Sequence, residues 1–307
     1  MSKSMSKFES GDKMHVFLVG SGGPIPNPKR VSSCIAIIAG GEFILVDVGA
    51  GSRRTLAGLR LPGKNLSAIF LTHFHSDHIG DLGQTNMNSF AQGRDHKLEV
   101  YGPEGVEKVV DGFNLAYELD TAYRVAHHGP EVIHADATSL VSKPISIKDP
   151  NEAELFFDKN GLKVHAFEVD HYPVKPAFGY RFEYKGNIVV ITGDTVKTDN
   201  LVKHCKNADI LFCEAISFDM LNTMRSGNIA PNLKKILLDI QNYHMSPTIA
   251  ASMAKEANVK KIVYVHVTPP LRTDSLEEKY LVGVSDIFDG EVVLGQDQMT
   301  FKLKPKT

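Results

Sequence analysis

Residues 72–80 read Thr-His-Phe-His-Ser-Asp-His-Ile-Gly, placing His73, His75, Asp77 and His78 within six consecutive positions. Imidazole nitrogen and carboxylate oxygen suit borderline divalent metals, zinc first, with manganese or iron as alternatives. In an extended segment His73, His75 and Asp77 would share one face, because side chains alternate along a strand. His78 then needs a turn to join them, a geometry that wraps two adjacent ions better than one closed tetrahedral site. A single loop histidine is more often solvated than ligating. With 13 histidines in 307 residues, though, a chance match to this whole pattern is rare.

The apolar run Ala68-Ile69-Phe70-Leu71 puts this cluster just past a strand end. Similar junctions recur downstream. Asp170-His171 follows the strand-like run Val164–Val169, Gly193-Asp194 follows Ile188–Ile191, and His266 closes Ile262–Val265. Functional groups of open α/β sheets gather at such strand ends. Alone, Asp194 reads as a turn residue and His171 or His266 as a structural histidine; their joint occurrence after the first cluster makes them candidate ligands. His15, His96, His127, His128, His134, His165 and His204 lack that context and are assigned no role. His127-His128 reads as a solvated loop pair.

Strand-like runs at residues 15–20, 34–39, 43–48, 68–71, 98–101, 164–169, 179–184, 188–192, 210–214, 262–266 and 291–294 alternate with helical patterns at 105–119, 198–204, 232–243 and 248–257. Ser246 is placed to cap the last helix, with Pro247 at its first position. The mixture predicts an α/β fold with helices covering sheets. Residues 135–160 read as mostly loop. No Gly/Ser linker divides the chain, so one domain is expected over 14–307 after a polar, flexible tail at 1–13. That tail lacks the apolar core of a secretory signal, which predicts a cytoplasmic protein. A formal net charge of −2 gives no global attraction to nucleic acid or anionic membrane. Cys34, Cys205 and Cys213 have neither metal-type nor disulfide-type spacing.

Taken in order, Val19-Gly20-Ser21-Gly22-Gly23, Val46-Asp47-Val48-Gly49, the His73–His78 cluster, His171, Asp194 and His266 resemble a metallo-β-lactamase-fold hydrolase over residues 14–305. Within that superfamily, Pro176–Arg181, Ile191–Thr195, Cys213–Ala215 and His244–Ser246 are similar to the ribonuclease Z and arylsulfatase-like branch. Gln92–Asp95, Ala122–Arg124 and His266–Pro270 look more like the arylsulfatase-like group. The resemblance implies an αββα sandwich and two zinc ions at one edge. It implies His73, His75 and His171 on one ion, Asp77, His78 and His266 on the other, and Asp194 bridging. Homodimers, as formed by relatives, are a further expectation.

Two divalent ions supply hydroxide near neutral pH and polarise an ester. Asp77 is the candidate for orienting that nucleophile, and His244, backed by Glu214, for protonating the leaving oxygen. Asp47 is expected to support the ligand loop from behind. Arg30 or Arg124 could meet an anionic substrate, and Met87–Phe90 with Phe113–Tyr123 could line an aryl pocket or pack as core. By the resemblance, ribonuclease Z grips tRNA with an arm between the positions of His171 and Asp194. Here those residues are only 23 positions apart, and no cationic stripe is evident. The leading expectation is therefore a small-molecule hydrolase of anionic or aryl esters, sulfate or phosphate. A tRNA 3′-processing endonuclease is the alternative, and a non-catalytic metal-binding scaffold the second.

Overall fold

Period-two burial splits the inner strands between two hydrophobic cores. In the computed structural model, which describes residues 12–306, Met14, Val16 and Leu18 of β1 (Met14–Gly20) enter a central core, while Phe17 and Val19 point the other way. The same alternation sends Ile210 and Phe212 of β11 (Ile210–Ile216) inward and Leu211 and Cys213 outward. Strands buried on both faces need a layer on each side, and two sheets stack face to face to provide it.

The first sheet takes β1 with β2 (Cys34–Ala39), β3 (Glu42–Val46), β4 (Leu66–Phe70), β5 (Leu98–Gly102) and β6 (Leu140–Pro144) in sequence order, with β14 (Thr300–Leu303) beside β1. The second runs β7 (Ala153–Lys159), β8 (Leu162–His171), β9 (Val174–Tyr184), β10 (Asn187–Ile191), β11, β12 (Lys261–Thr268) and β13 (Glu291–Leu294). Within each sheet four consecutive strands are parallel, β3 to β6 and β10 to β13, and the remaining pairings are antiparallel. Helices α1 (Ser52–Leu59), α3 (Leu82–Ala91) and α4 (Val106–His128) bring Leu56, Leu82, Val106 and Val110 to the outer face of the first sheet. Helices α5 (Asp199–Cys205), α8 (Pro247–Glu256) and α9 (Asp274–Tyr280) bring Leu201, Ala250 and Tyr280 to the second. The one-turn α2 (Ser76–Ile79) and the pair α6 (Phe218–Ser226) and α7 (Pro231–Asp239) sit in connections. This is the αββα metallo-β-lactamase sandwich. Ser246 caps α8 by accepting from Ile249 N at 3.2 Å.

The segment read as loop, 135–160, instead carries β6 and the edge strand β7. Their sequences, Leu-Val-Ser-Lys-Pro and Ala-Glu-Leu-Phe-Phe-Asp-Lys, are polar at alternate or terminal positions because only one side of an outer strand is covered. The polar tail falls almost wholly outside the described residues. No helix among the described residues is long and apolar enough to cross a membrane.

Candidate metal centre

All seven residues singled out as ligands converge at one rim of the sandwich. The first sheet contributes His73–His78 after β4; the second contributes His171 at the end of β8, Asp194 after β10 and His266 within β12. The turn His78 needed is α2, closed by His78 N donating to His75 O at 2.9 Å. Because α2 starts at Ser76, Asp77 leaves the extended face shared by His73 and His75. The cluster divides between two groups.

In the first group His73 Nε2 lies 2.9 Å from His75 Nδ1, and His171 Nε2 lies 3.5 Å from that atom. Asp194 Oδ2 stands 3.8 Å from His73 Nε2 and 4.0 Å from His171 Nε2. In the second, Asp77 Oδ2 is 3.5 Å from His78 Nε2 and 3.1 Å from His266 Nε2. The same Asp194 Oδ2 is 3.4 Å from His78 Nε2 and 3.2 Å from His266 Nε2. Donors about 2.0–2.2 Å from a tetrahedral zinc stand roughly 3.3–3.6 Å from one another, so both groups have the dimensions of a metal shell, and one carboxylate oxygen faces both. His78 Nε2, buried and without a hydrogen-bond partner, points into the second group. His75 is exposed and opens the first group to solvent.

The rings are aimed from behind. Asp47 Oδ1 accepts from Thr72 N at 2.8 Å, and its Oδ2 accepts from Thr72 Oγ1 at 2.9 Å and from His78 Nδ1 at 2.8 Å. A carboxylate only accepts, so His78 carries its proton on Nδ1 and offers Nε2 to the group. The Thr72 hydroxyl, having donated to Asp47, accepts from His73 Nδ1 at 3.0 Å. His171 Nδ1 donates to Tyr243 O at 3.1 Å. Asp47 and His266 adopt left-handed φ angles of 56° and 54°, backbone strain of the kind that collects at functional sites. Gly23 lets the Ser21–Arg30 loop close over His266, since a Cβ there would stand 2.9 Å from His266 Cε1.

Electrostatics differ between the groups. Burial pushes His73, His75 and His171 down, His171 to about 4, so these rings are neutral and ready to ligate. Burial also opposes charge on His78 and His266. The Asp194, Asp47 and Asp77 carboxylates outweigh it at His78 and hold it well above its ordinary value; Asp194 and Asp77 do the same at His266 and raise it to about 9. Burial would raise Asp77 and Asp194. His78 and His266 overcome it, drawing Asp77 to about 2 and Asp194 well below the usual range. Buried carboxylates that enforce protons on two histidines are asking for positive charge, which a divalent cation also provides. The donor set thus fits a metal.

His244 packs against the second group, its ring stacked on His266 at 5.3 Å and edge-on to His171 at 5.2 Å. Its Nδ1 is 3.2 Å from Glu214 Oε1, close but poorly aligned for a hydrogen bond. Glu214 Oε1 itself accepts from Met245 N at 3.1 Å and Thr195 N at 3.2 Å, fixing the segment that carries His244.

Three expectations need correction. Arg30 is no rim arginine: it is 5% exposed and bound to Ser21 Oγ, Gly295 O and Glu277. Met87 and Phe90 pack into a small core with Ile133 and Tyr117. Leu115, Leu119 and Tyr123 face solvent on α4, and the cavity of about 390 Å³ that Leu115, Tyr117 and Thr121 help to line includes none of the donor residues. Arg124 is exposed and paired with Asp120, and His127 and His128 end α4, exposed. Thr72 and the Tyr243 carbonyl escaped notice. Thr72 carried a signal in its place between β4 and His73; a backbone carbonyl carries none.

A two-sheet sandwich with paired His/Asp groups at its rim defines a metal-dependent hydrolase. The chain belongs to the metallo-β-lactamase superfamily: the family model described as "Beta-lactamase superfamily domain" matches residues 43–267. It is 31% identical over 296 residues to "Ribonuclease Z" of Mycobacterium bovis, covering 95% of this chain and 99% of that one. It is 33% identical over 287 residues to "Ribonuclease Z" of Mycolicibacterium paratuberculosis, covering 92% and 96%. Among solved structures, the metallo-beta-lactamase fold protein YhfI from Bacillus subtilis aligns with a TM-score of 0.67 at 20% identity, over 95% of this chain and 100% of that one. Human tRNase Z, short form, aligns at 0.66 and 24%, over 94% and 98%.

Proposed function

We propose that this protein is a phosphodiester hydrolase of the ribonuclease Z type, cleaving RNA with two divalent cations, zinc foremost. The observation that carries this reading is the near full-length similarity to proteins named ribonuclease Z, combined with an intact double group of donors. His73, His75 and His171 would hold one cation, Asp77, His78 and His266 the other, and Asp194 both. Bound there, the pair would supply Lewis acidity and a water of lowered pKa. Asp77, held ionised, orients the attacking water through its carboxylate. His244, with Nδ1 turned to Glu214, presents Nε2 on the opposite side of its ring to protonate the leaving oxygen. Glu214 stabilises the imidazolium and fixes its position.

This puts the tRNA-processing alternative ahead of the leading expectation, a small-molecule hydrolase of sulfate or phosphate esters. One feature favours a second reading, a small phosphodiester substrate. His171 pairs with Val174 across a two-residue turn, so no arm extends between β8 and β9 to hold a large RNA at a distance.

Metal-reconstituted protein should be assayed on a pre-tRNA with a 3′ trailer, on bis(p-nitrophenyl) phosphate and on p-nitrophenyl sulfate. Cleavage of both phosphodiesters, with the sulfate slower, is expected. Turnover of bis(p-nitrophenyl) phosphate alone selects the second reading. Faster sulfate hydrolysis restores the arylsulfatase expectation, and metal-replete but inert protein means a scaffold.

A further inference from the structure

A cavity of about 670 Å³ opens at the ends of β5 and β6, strands parallel to the β4 whose end delivers His73, and against the β8–β9 hairpin. Its size lies within the roughly 300–1,000 Å³ of small-molecule sites. It adjoins the donor groups through the chain itself. Asp170, in its wall, precedes His171, and Phe178, also in its wall, donates its backbone N–H to Thr72 O at 3.0 Å, one residue before His73. Glu104 adjoins Gly105, where a Cβ would stand 3.6 Å from Phe74, the residue between His73 and His75. Asn200 on α5 ties two walls together, donating to Pro150 O at 3.0 Å and Glu168 O at 2.9 Å, so the cavity is preformed.

The lining selects its occupant. Glu104, Glu168 and Asp170 face a single cation, Lys175, so a phosphate there meets three carboxylates and one ammonium. Ile145, Ile147, Val169 and Phe178 supply apolar surface. Such a pocket rejects a polyanionic backbone and accepts a flat, uncharged ring bearing N–H donors. At its edge Tyr172, 68% exposed and next to His171, carries Lys175 Nζ 5.8 Å above its ring, and exposed aromatic faces of this kind stack bases. We infer that the cavity receives the nucleobase flanking the scissile phosphate, while the phosphate itself lies over the metal centre. This rests on the phosphodiesterase reading above, and it makes the cavity, in place of an arm, the element that reads the substrate.

The test is calorimetric titration of the full chain with adenosine and, separately, with ribose 5-phosphate, alongside turnover of bis(p-nitrophenyl) phosphate. Wild type should bind adenosine at least tenfold more tightly than ribose 5-phosphate. Ile147→Trp, which fills the cavity, should weaken adenosine at least tenfold and leave zinc affinity, read by competition with a chromophoric chelator, within twofold. Ser146→Trp, at an exposed lining position, repeats the test should Ile147→Trp not fold. No adenosine binding by wild type, unchanged binding in folded variants, or ribose 5-phosphate binding more tightly than adenosine each overturns the inference. Adenosine binding that is lost in the variants, with no turnover of bis(p-nitrophenyl) phosphate by wild type, supports the pocket and removes the phosphodiesterase reading instead.

Discussion

Replacing Asp47 by Asn should damage metal binding while sparing the fold. The substitution is nearly isosteric, and Asn tolerates the left-handed φ of 56° at this position. The Asn carbonyl oxygen can still accept from Thr72 N. Its amide group, however, now faces His78 Nδ1 where the carboxylate oxygen stood at 2.8 Å. Two donors cannot face each other, so the imidazole proton moves to Nε2, the atom turned toward Asp77 and Asp194. Loss of such a carboxylate behind a metal-binding histidine typically weakens affinity 10–100-fold, or about 1.4–2.7 kcal/mol. The charge-assisted hydrogen bond is worth about 1.5–3 kcal/mol, but burial disfavours the carboxylate and pushes its pKa up, so the two partly cancel. The metal-free protein should then lose no more than a few degrees of Tm, at about 2–4 °C per kcal/mol. Asp47→Ala should cost more, because Thr72 N and His78 Nδ1 are both left buried and unpaired, about 1–3 kcal/mol each. Competition with a chromophoric zinc chelator measures affinity, and thermal melts with and without metal measure stability. Wild-type affinity in Asp47→Asn would refute the argument that this carboxylate sets the tautomer.

His244→Ala should lower kcat by about 10²–10⁴-fold on RNA, whose leaving oxygen needs a proton, and far less on bis(p-nitrophenyl) phosphate, whose leaving phenolate does not; equal losses on both remove His244 as the proton donor. The metal-free protein should lose stability between pH 6.5 and 9. His266, raised to about 9 in the fold, makes a contribution that is complete below the unfolded value near 6.5 and disappears as pH climbs through about 9; His78, also raised, adds a loss of the same sign. His73, His75 and His171, which are lowered, are neutral in both states over most of that window; the expected drop is on the order of 3 kcal/mol from His266 alone, and a flat profile of Tm against pH contradicts it. Gly193→Ala should destabilise by about 1–3 kcal/mol, since the residue sits at φ 62° and a Cβ would stand 2.9 Å from Phe178 O; because Asp194 follows directly, denaturant midpoint and metal affinity should fall together, and a change in neither contradicts the packing argument.

Much of this architecture was legible because the parallel strands are buried on both faces and read as unbroken apolar runs. Ile188–Ile191 and Ile262–Val265 announce themselves, and the ligand-type residues at their ends follow. The outer strands β6 and β7 were not legible, since half of each faces solvent and dilutes the pattern. Helix α1 begins behind Gly51 without a side-chain cap and buries only Ser52, Thr55 and Leu56, leaving little periodicity to read. The division of the His73–His78 stretch into two groups came from the family resemblance alone; simple alternation put Asp77 with His73 and His75, because the four residues of α2 carry no periodic signal. Arg30 looked like a surface residue because its partners, Gly295 and Glu277, lie more than 240 positions away.

The residues at this rim are scattered along the chain, and Asp77 meets His266 across 189 positions. A ribosome reads them out in order, so a nascent chain displays a histidine-rich loop long before β12 exists to complete the second group. Whatever ions the centre takes, the second group cannot be complete until β12 has been made. A product that stops before β12 would carry the signature motif while holding half a centre.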